Sequence, residues 1–342
     1  MSHVSLNASS RAGFPPILTL LRAEPLLWLI AAIVITGALT SEYYLTGQNI
    51  ENLLRSVSVF GLLALGMTVV MLTGRIDLSV AATMIFSIVV AVKVMVLLGD
   101  GLGLRWLVKG NTYAGPSLPF LAIAIVTGCA VGALNGIAIA YFRIAPFIMT
   151  LVSLTALRGF NYVLTDGHPY YLRSPVFAFI GDQVVLGIPF STLVFLTVLI
   201  ALILFVNGTV AGSRFHAIGG SERAALYAGI RTERYVVLAY VISGFCAALA
   251  GILFTARLKS VDAPLASGYE LTAIAIAVIG GTALSGGVGS PWRTLLGSLV
   301  FASGLNLLAI WGVGTWYQNL IVGTVLIAAV ALSRIGRPRP SC

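Results

Sequence analysis

Apolar residues come in long blocks along the chain, separated by short polar or glycine-rich breaks. A helix that crosses a bilayer needs about 20 mostly apolar residues, with a range of about 17 to 25. On that rule spans fall near 23–40, 53–73, 78–98, 118–141, 145–164, 190–207, 235–255, 271–285, 292–310 and 316–333, ten in all. The pattern predicts an all-α, polytopic membrane protein whose 342 residues form a single transmembrane domain. The eighth span is the odd one, running Ala273-Ile-Ala-Ile-Ala-Val-Ile-Gly-Gly-Thr-Ala-Leu-Ser-Gly-Gly-Val-Gly289. A helix from Leu271 to Ser285 is about 22 Å long, short of a hydrocarbon core about 30 Å thick. Such a run must tilt little, thin the bilayer or give way to irregular backbone, which is tolerated at that depth only inside protein or beside a water-filled cavity. Close packing on small residues and a cavity lining are both open readings.

One polar stretch carries a helix signal of its own. Within the long basic loop 208–234, Ser221 suits a helix N-cap, Glu222 suits the positive end of the dipole, and Gly229 suits the left-handed residue that ends a helix. The helix between them, Ser221 to Ala228, has about seven residues, too few to be stable in water unless it docks against something. Ala224, Ala225 and Ala228 give it a small-residue surface that another protein can approach closely. With Gly219 and Gly220 at its entrance, this is the expected contact with a soluble partner.

Composition agrees with the spans: 58% of residues are hydrophobic and 9% charged, against about 25% charged in a soluble domain. The first apolar run, Leu26 to Leu39, follows a polar segment with Arg11 and Arg22 but precedes no small-residue cleavage site, so it reads as an uncleaved first helix. Charge sets the orientation. With the N-terminus inside, the cytoplasmic segments hold twelve basic residues against four acids, a net of +8, while the outer segments balance at zero. Both termini and the 208–234 loop are therefore expected in the cytoplasm, and the formal charge of +9 needs no nucleic-acid partner to explain it.

Candidate chemistry is sparse. Cys129, Cys246 and Cys342 lie far apart, and His3, His168 and His216 fall outside the spans, so no metal site is expected. No span centre carries an ionisable residue of the kind that proton- or sodium-coupled transporters use. No Gly-x-x-x-x-Gly-Lys-Ser/Thr loop occurs, and no cofactor is expected; a pump built on this chain takes its energy from a partner. Lys93, near the outer end of its span, can snorkel to the headgroups or line a pore. Asp77, at the break between two spans, can cap a helix paired with Arg75 or face a solute path. Asn135 and Asn306, inside apolar runs, can line that path or bond a neighbouring helix.

Several ordered stretches carry a resemblance. They are Gly66-Met-Thr-Val-Val-Met-Leu-Thr-Gly-Arg-Ile-Asp77-Leu-Ser-Val, Gly132-Ala-Leu-Asn135-Gly, Pro146-Phe-Ile-Met-Thr-Leu, Ala217-Ile-Gly-Gly-Ser-Glu-Arg-Ala-Ala, Gly268-Tyr-Glu-Leu-Thr-Ala-Ile-Ala and Gly280-Gly-Thr-Ala-Leu-Ser-Gly-Gly. Over nearly its whole length the chain resembles the permease subunits of ribose-type ABC importers, which carry monosaccharides and related polyols across the bacterial inner membrane. The resemblance implies a permease dimer, two cytoplasmic ATPase domains and a periplasmic sugar-binding protein. It also implies that Ser221 to Ala228 is the short helix that inserts into a groove of the ATPase. Arg75 and Ala81 depart from the family pattern, which usually has Gly at both places. The competing reading is a secondary transporter or facilitator acting alone.

Overall fold

A computed structural model describes residues 24–104, 106–108, 111–318 and 320–324. His3, Arg11, Arg22, Arg105, Lys109, Arg334, Arg337, Arg339, Cys342 and much of the expected 316–333 span lie outside these residues. Nine of the ten apolar blocks are helices: α1 (Pro25–Thr40), α2 (Gly47–Leu72), α3 (Val80–Gly101), α4 (Ser117–Ala140), α5 (Pro146–Thr165), α7 (Phe190–Gly208), α10 (Thr232–Leu258), α11 (Tyr269–Ile279) and α12 (Pro291–Ile310). Seven of them, all but α1 and α11, are long and apolar enough to cross a bilayer. Three further helices fall between blocks: α6 (Pro175–Asp182), α8 (Val210–Gly220) and α9 (Glu222–Tyr227). Proline opens α1, α5, α6 and α12, where its missing N–H has no intrahelical partner to lose.

The all-α expectation needs one correction. Short strands β1 (Leu107–Val108), β2 (Thr112–Tyr113), β3 (Tyr170–Leu172) and β6 (Ser260–Val261) form a sheet in the order β1-β2-β3-β6, and β4 (Val184–Val185) pairs with β5 (Ile188–Pro189). Within the sheet β2 runs parallel to β3, with Thr112 opposite Tyr171, and the other neighbours are antiparallel. Two or three residues are too few to show a period-two pattern in sequence, so these strands left no signal. They tie together the ends of α3, α5 and α10 and the start of α4. This defines a sheet end of the bundle. Lys93 lies there, its ammonium 5.6 Å from the centre of the Tyr170 ring. Tyr113 is buried in the sheet, its hydroxyl donating to the Pro116 carbonyl, and burial pushes its phenol up to about 12.

Arg55 and Arg158, counted with the outer segments in the charge balance, lie inside α2 and α5. Arg55 reaches the carbonyl oxygens of Gly181 and Asp182 near the sheet end. Arg158 pairs at 2.9 Å with Glu270 in the first turn of α11.

Buried most deeply are α2, α3 and α10. α4 packs along α10 through glycines four residues apart: a Cβ on Gly128 would lie 2.5 Å from the Gly244 carbonyl, and one on Gly132 would run into the Tyr240 carbonyl. Lipid is as apolar as a leucine side chain, so close backbone approach of this kind is what holds membrane helices together.

α11 is a half-helix. Its 11 residues rise about 16 Å. It stops at Ile279 because Gly281 takes φ +83° and closes the end, its N–H donating to the Val278 carbonyl while Thr282 N–H reaches the Ala277 carbonyl. The chain returns to α12 as irregular backbone. Ala273, Ala275, Ile276 and Ala277 are fully buried, and a Cβ on Gly297 of α12 would strike the Ile276 carbonyl. Close packing on small residues therefore covers the middle of the broken helix with protein, while Leu271 and Thr272 at its start line a cavity.

Gly132→Leu is expected to push α4 off α10 at a cost of about 1–3 kcal/mol or more. Membrane yield and detergent melting temperature should both fall. Gly208→Ala, where nothing lies within 4 Å of the new methyl group, should leave both unchanged.

Candidate functional site

The short helix α9 forms where the polar signal placed it. Ser221 is its N-cap, the hydroxyl accepting from the Ala224 N–H at 3.3 Å, and Glu222 occupies the first turn. Gly229 takes φ +79°, with its N–H on the Leu226 carbonyl and the Ile230 N–H on the Ala225 carbonyl. These are the two bonds of a glycine-terminated helix end. Ala224, Ala228 and Tyr227 face solvent, Tyr227 at 91% exposure, whereas Ala225 turns into the chain at 4%. The small-residue surface is thus split: Ala225 seats α9 on its own chain, and only Ala224 and Ala228 remain open on the helix.

Arg75 does not pair with Asp77. Its guanidinium spans from the Thr73 carbonyl (2.9 Å) to Glu222 (2.8 Å), linking the α2–α3 break to the first turn of α9. Glu222 is solvent-exposed while Arg75 is largely covered, so the pair ties α9 to the α2–α3 break from its outer side. A cavity of about 700 Å³ opens beside it, lined by Arg75, Arg143, Arg223, Glu222 and Glu233 among others.

Beneath α9 three backbones meet with no side chain between them. A Cβ on Gly219 would run into the Leu72 carbonyl and the Gly287 nitrogen. One on Gly286 would lie 2.6 Å from the Cα of Gly74. Gly74, Gly286 and Gly287 all have positive φ, and the Gly287 N–H donates to the Leu72 carbonyl at 3.1 Å. His216 adds a contact to the Gly287 carbonyl at 2.9 Å. This glycine knot joins the α2–α3 break, the α8–α9 corner and the irregular segment that follows α11.

Beside the knot, Asp77 is 2% exposed and accepts from hydroxyls. Ser79 donates to one oxygen through both its N–H (3.0 Å) and its hydroxyl (2.6 Å), and Ser243 donates to the other at 2.9 Å. Ser79 in turn accepts from the Asn135 amide at 2.9 Å, whose oxygen accepts from Ser153. One directed chain of hydrogen bonds so fastens the start of α3 to α4, α5 and α10. Asn306 sits elsewhere, toward the sheet end, in a reciprocal amide pair with Asn49 (3.1 and 2.8 Å) that joins α12 to α2.

Residues 49–330 match the family model described as "Branched-chain amino acid transport system / permease component". The chain belongs to this permease family. It is 38% identical over 317 residues to the ribose import permease protein of Bacillus subtilis (strain 168), covering 91% of this chain and 92% of that one. It is 35% identical to the D-allose transport system permease protein of Escherichia coli (strain K12), over 90% of each chain. To the L-arabinose ABC transporter permease protein of Azospirillum brasilense it is 31% identical, over 88% of this chain and 84% of that one. No solved structure matches. With its apolar spans, the permease is a multi-pass protein of the bacterial inner membrane, and its family implies an ATPase and a periplasmic binding protein as partners.

The permease thus places its sequence-marked residues in three groups. Gly219, Gly220, Ser221, Glu222, Ala224, Ala228 and Gly229 lie at or above the knot, with Ala225 facing inward. Asp77 and Asn135 share a buried network whose bonds are all to this chain, and Asn306 lines a separate cavity. Sequence reasoning passed over Gly74, Gly286 and Gly287. The doubled glycines at 219–220 and 286–287 were the available signal, but their meeting is a long-range fact.

Asp77→Ala should strand the Ser79 and Ser243 donors at about 1–3 kcal/mol each, seen as a lower melting temperature with no change in which solutes the residual protein carries. Gly219→Ala should force Leu72 away from Gly287. Uptake is expected to fall about tenfold or more, the effect of only about 1.4 kcal/mol on the coupled state. Immunoblots should meanwhile find the protein in the membrane.

Proposed function

We propose that the protein is the membrane-spanning permease of an ABC importer for a sugar or sugar-like solute. It works as a homodimer embedded in lipid, with ten spans per copy and both termini in the cytoplasm. A separate ATPase docks on α9, and a periplasmic binding protein delivers the solute at the sheet end. The observation that carries this reading is the geometry of α9: capped at both ends, open on Ala224, Tyr227 and Ala228, and tied through Arg75 and the glycine knot to the core. A facilitator acting alone has no use for such a handle. The charge distribution supports the orientation, since Arg75, Arg143, Arg214, Arg223, Arg231, Arg234 and Arg293 all lie at the knot end. The sugar assignment follows the ribose, allose and arabinose permeases, in preference to the amino acids named in the family description.

Ala224→Glu and Ala228→Glu add a charge to exposed positions, so the membrane fold should survive. If the ATPase covers that face, an unpaired buried charge costs about 3–5 kcal/mol, more than a hundredfold in affinity. Normal membrane levels, loss of the ATPase from a detergent pull-down and loss of uptake are expected; retained ATPase and retained transport would remove α9 as the docking element. In proteoliposomes uptake should require ATP with the ATPase present. Accumulation driven by an imposed pH gradient without ATP would favour the secondary-transporter reading instead. Reporter fusions at Cys342 and in the 166–187 segment should report opposite sides of the membrane.

A further inference from the structure

At the sheet end, away from the Asp77 network, lies a cavity of about 810 Å³ between α2, α11 and α12. That is within the roughly 300–1,000 Å³ typical of small-molecule sites. Its polarity is out of keeping with the helices that build it. On α2 the lining residues are Asn49, Asn52, Ser56 and Phe60, spaced three, four and four apart and therefore on one face. Polar groups on a membrane helix are costly against lipid, and they mark solute paths when they face a cavity. Opposite them, Arg257 donates to Ser56 (3.2 Å) and Asn52 (3.4 Å), and the Asn49–Asn306 amide pair closes one side. The Phe60 and Tyr269 rings meet edge to face with centroids 4.9 Å apart.

We infer that this cavity is the permease's own binding site for a neutral polyhydroxylated solute, the first station after release from the binding protein. Amides and a guanidinium offer paired donors and acceptors that match neighbouring hydroxyl groups. Aromatic rings cover the apolar C–H face of the same solute. No carboxylate is among the described lining residues, so nothing in the wall favours a cation. Tyr269, the first residue of α11, stands in this wall, while the segment leaving α11 ends in the glycine knot. Solute contact and α9 are thus at opposite ends of one broken helix. The inference deepens the sugar-import reading and rests on it.

The test uses the complete importer in proteoliposomes, with Cys129, Cys246 and Cys342 replaced and either Ser56→Cys or Leu186→Cys introduced. Leu186 is 98% exposed on the β4–β5 hairpin and serves as the control. A membrane-impermeant methanethiosulfonate is added from the binding-protein side, with and without D-ribose, D-allose or L-arabinose. Modified Ser56→Cys should lose uptake by about tenfold or more, equivalent to about 1.4 kcal/mol, and each transported sugar should slow its labelling. Labelled Leu186→Cys should transport normally. Three results overturn the site: no labelling at Ser56→Cys because a second copy covers this wall, labelling without loss of uptake, or labelling that a transported sugar does not slow. If the assembly with its native residues carries none of the three sugars, the sugar-import reading fails and the polyol site fails with it, whereas transport without protection overturns the site alone.

Discussion

Three stretches of main chain touch at one end of this bundle because none of them carries a side chain where they meet. Gly219 abuts the Leu72 carbonyl and the Gly287 nitrogen, and Gly286 abuts Gly74. Any larger residue at the contact must move backbone, and interiors packed to this density transmit such a displacement instead of absorbing it. The position of α9 relative to α2 and to the segment leaving α11 is fixed by that constraint. Arg75 and Glu222 refine it from the outside, and Ala225 closes the gap beneath the helix.

The two ends of the bundle solve different problems. At the knot end, polar groups turn inward: the carboxylate of Asp77 gathers donors from the α3 start and α10, with Asn135 and Ser153 behind them, and satisfied networks of this kind specify one arrangement of helices. At the sheet end, polar groups on α2, α10 and α12 turn toward a cavity instead. Between the ends runs α11, whose short helix is tolerable because α2 and α12 cover it and because its last turn is closed by glycine.

What could be read in the sequence follows from the range of the interaction. Hydropathy located nine helical blocks within the described residues, and local capping chemistry at Ser221, Glu222 and Gly229 located α9, since each signal depends on neighbours a few residues apart. Span ends were less legible. α2 begins six residues before its apolar block, and Arg55 and Arg158 sit inside helices because carbonyls and Glu270 satisfy them from distant elements. The inward turn of Ala225, the partner of Arg75 and the hydroxyls around Asp77 are equally tertiary facts. Asn306 shows the same limit: its amide bonds Asn49 on α2 across 257 residues of sequence, beside a cavity that no local signal marks.

A link made of main chain has a chemical consequence. Ion pairs between surface elements weaken with added salt and vanish when a partner is protonated. Van der Waals exclusion between peptide groups does neither. Movement of α9 would therefore reach α2 and the α11 exit with the same stiffness at low or high ionic strength, whereas the Arg75–Glu222 contact would respond to added salt.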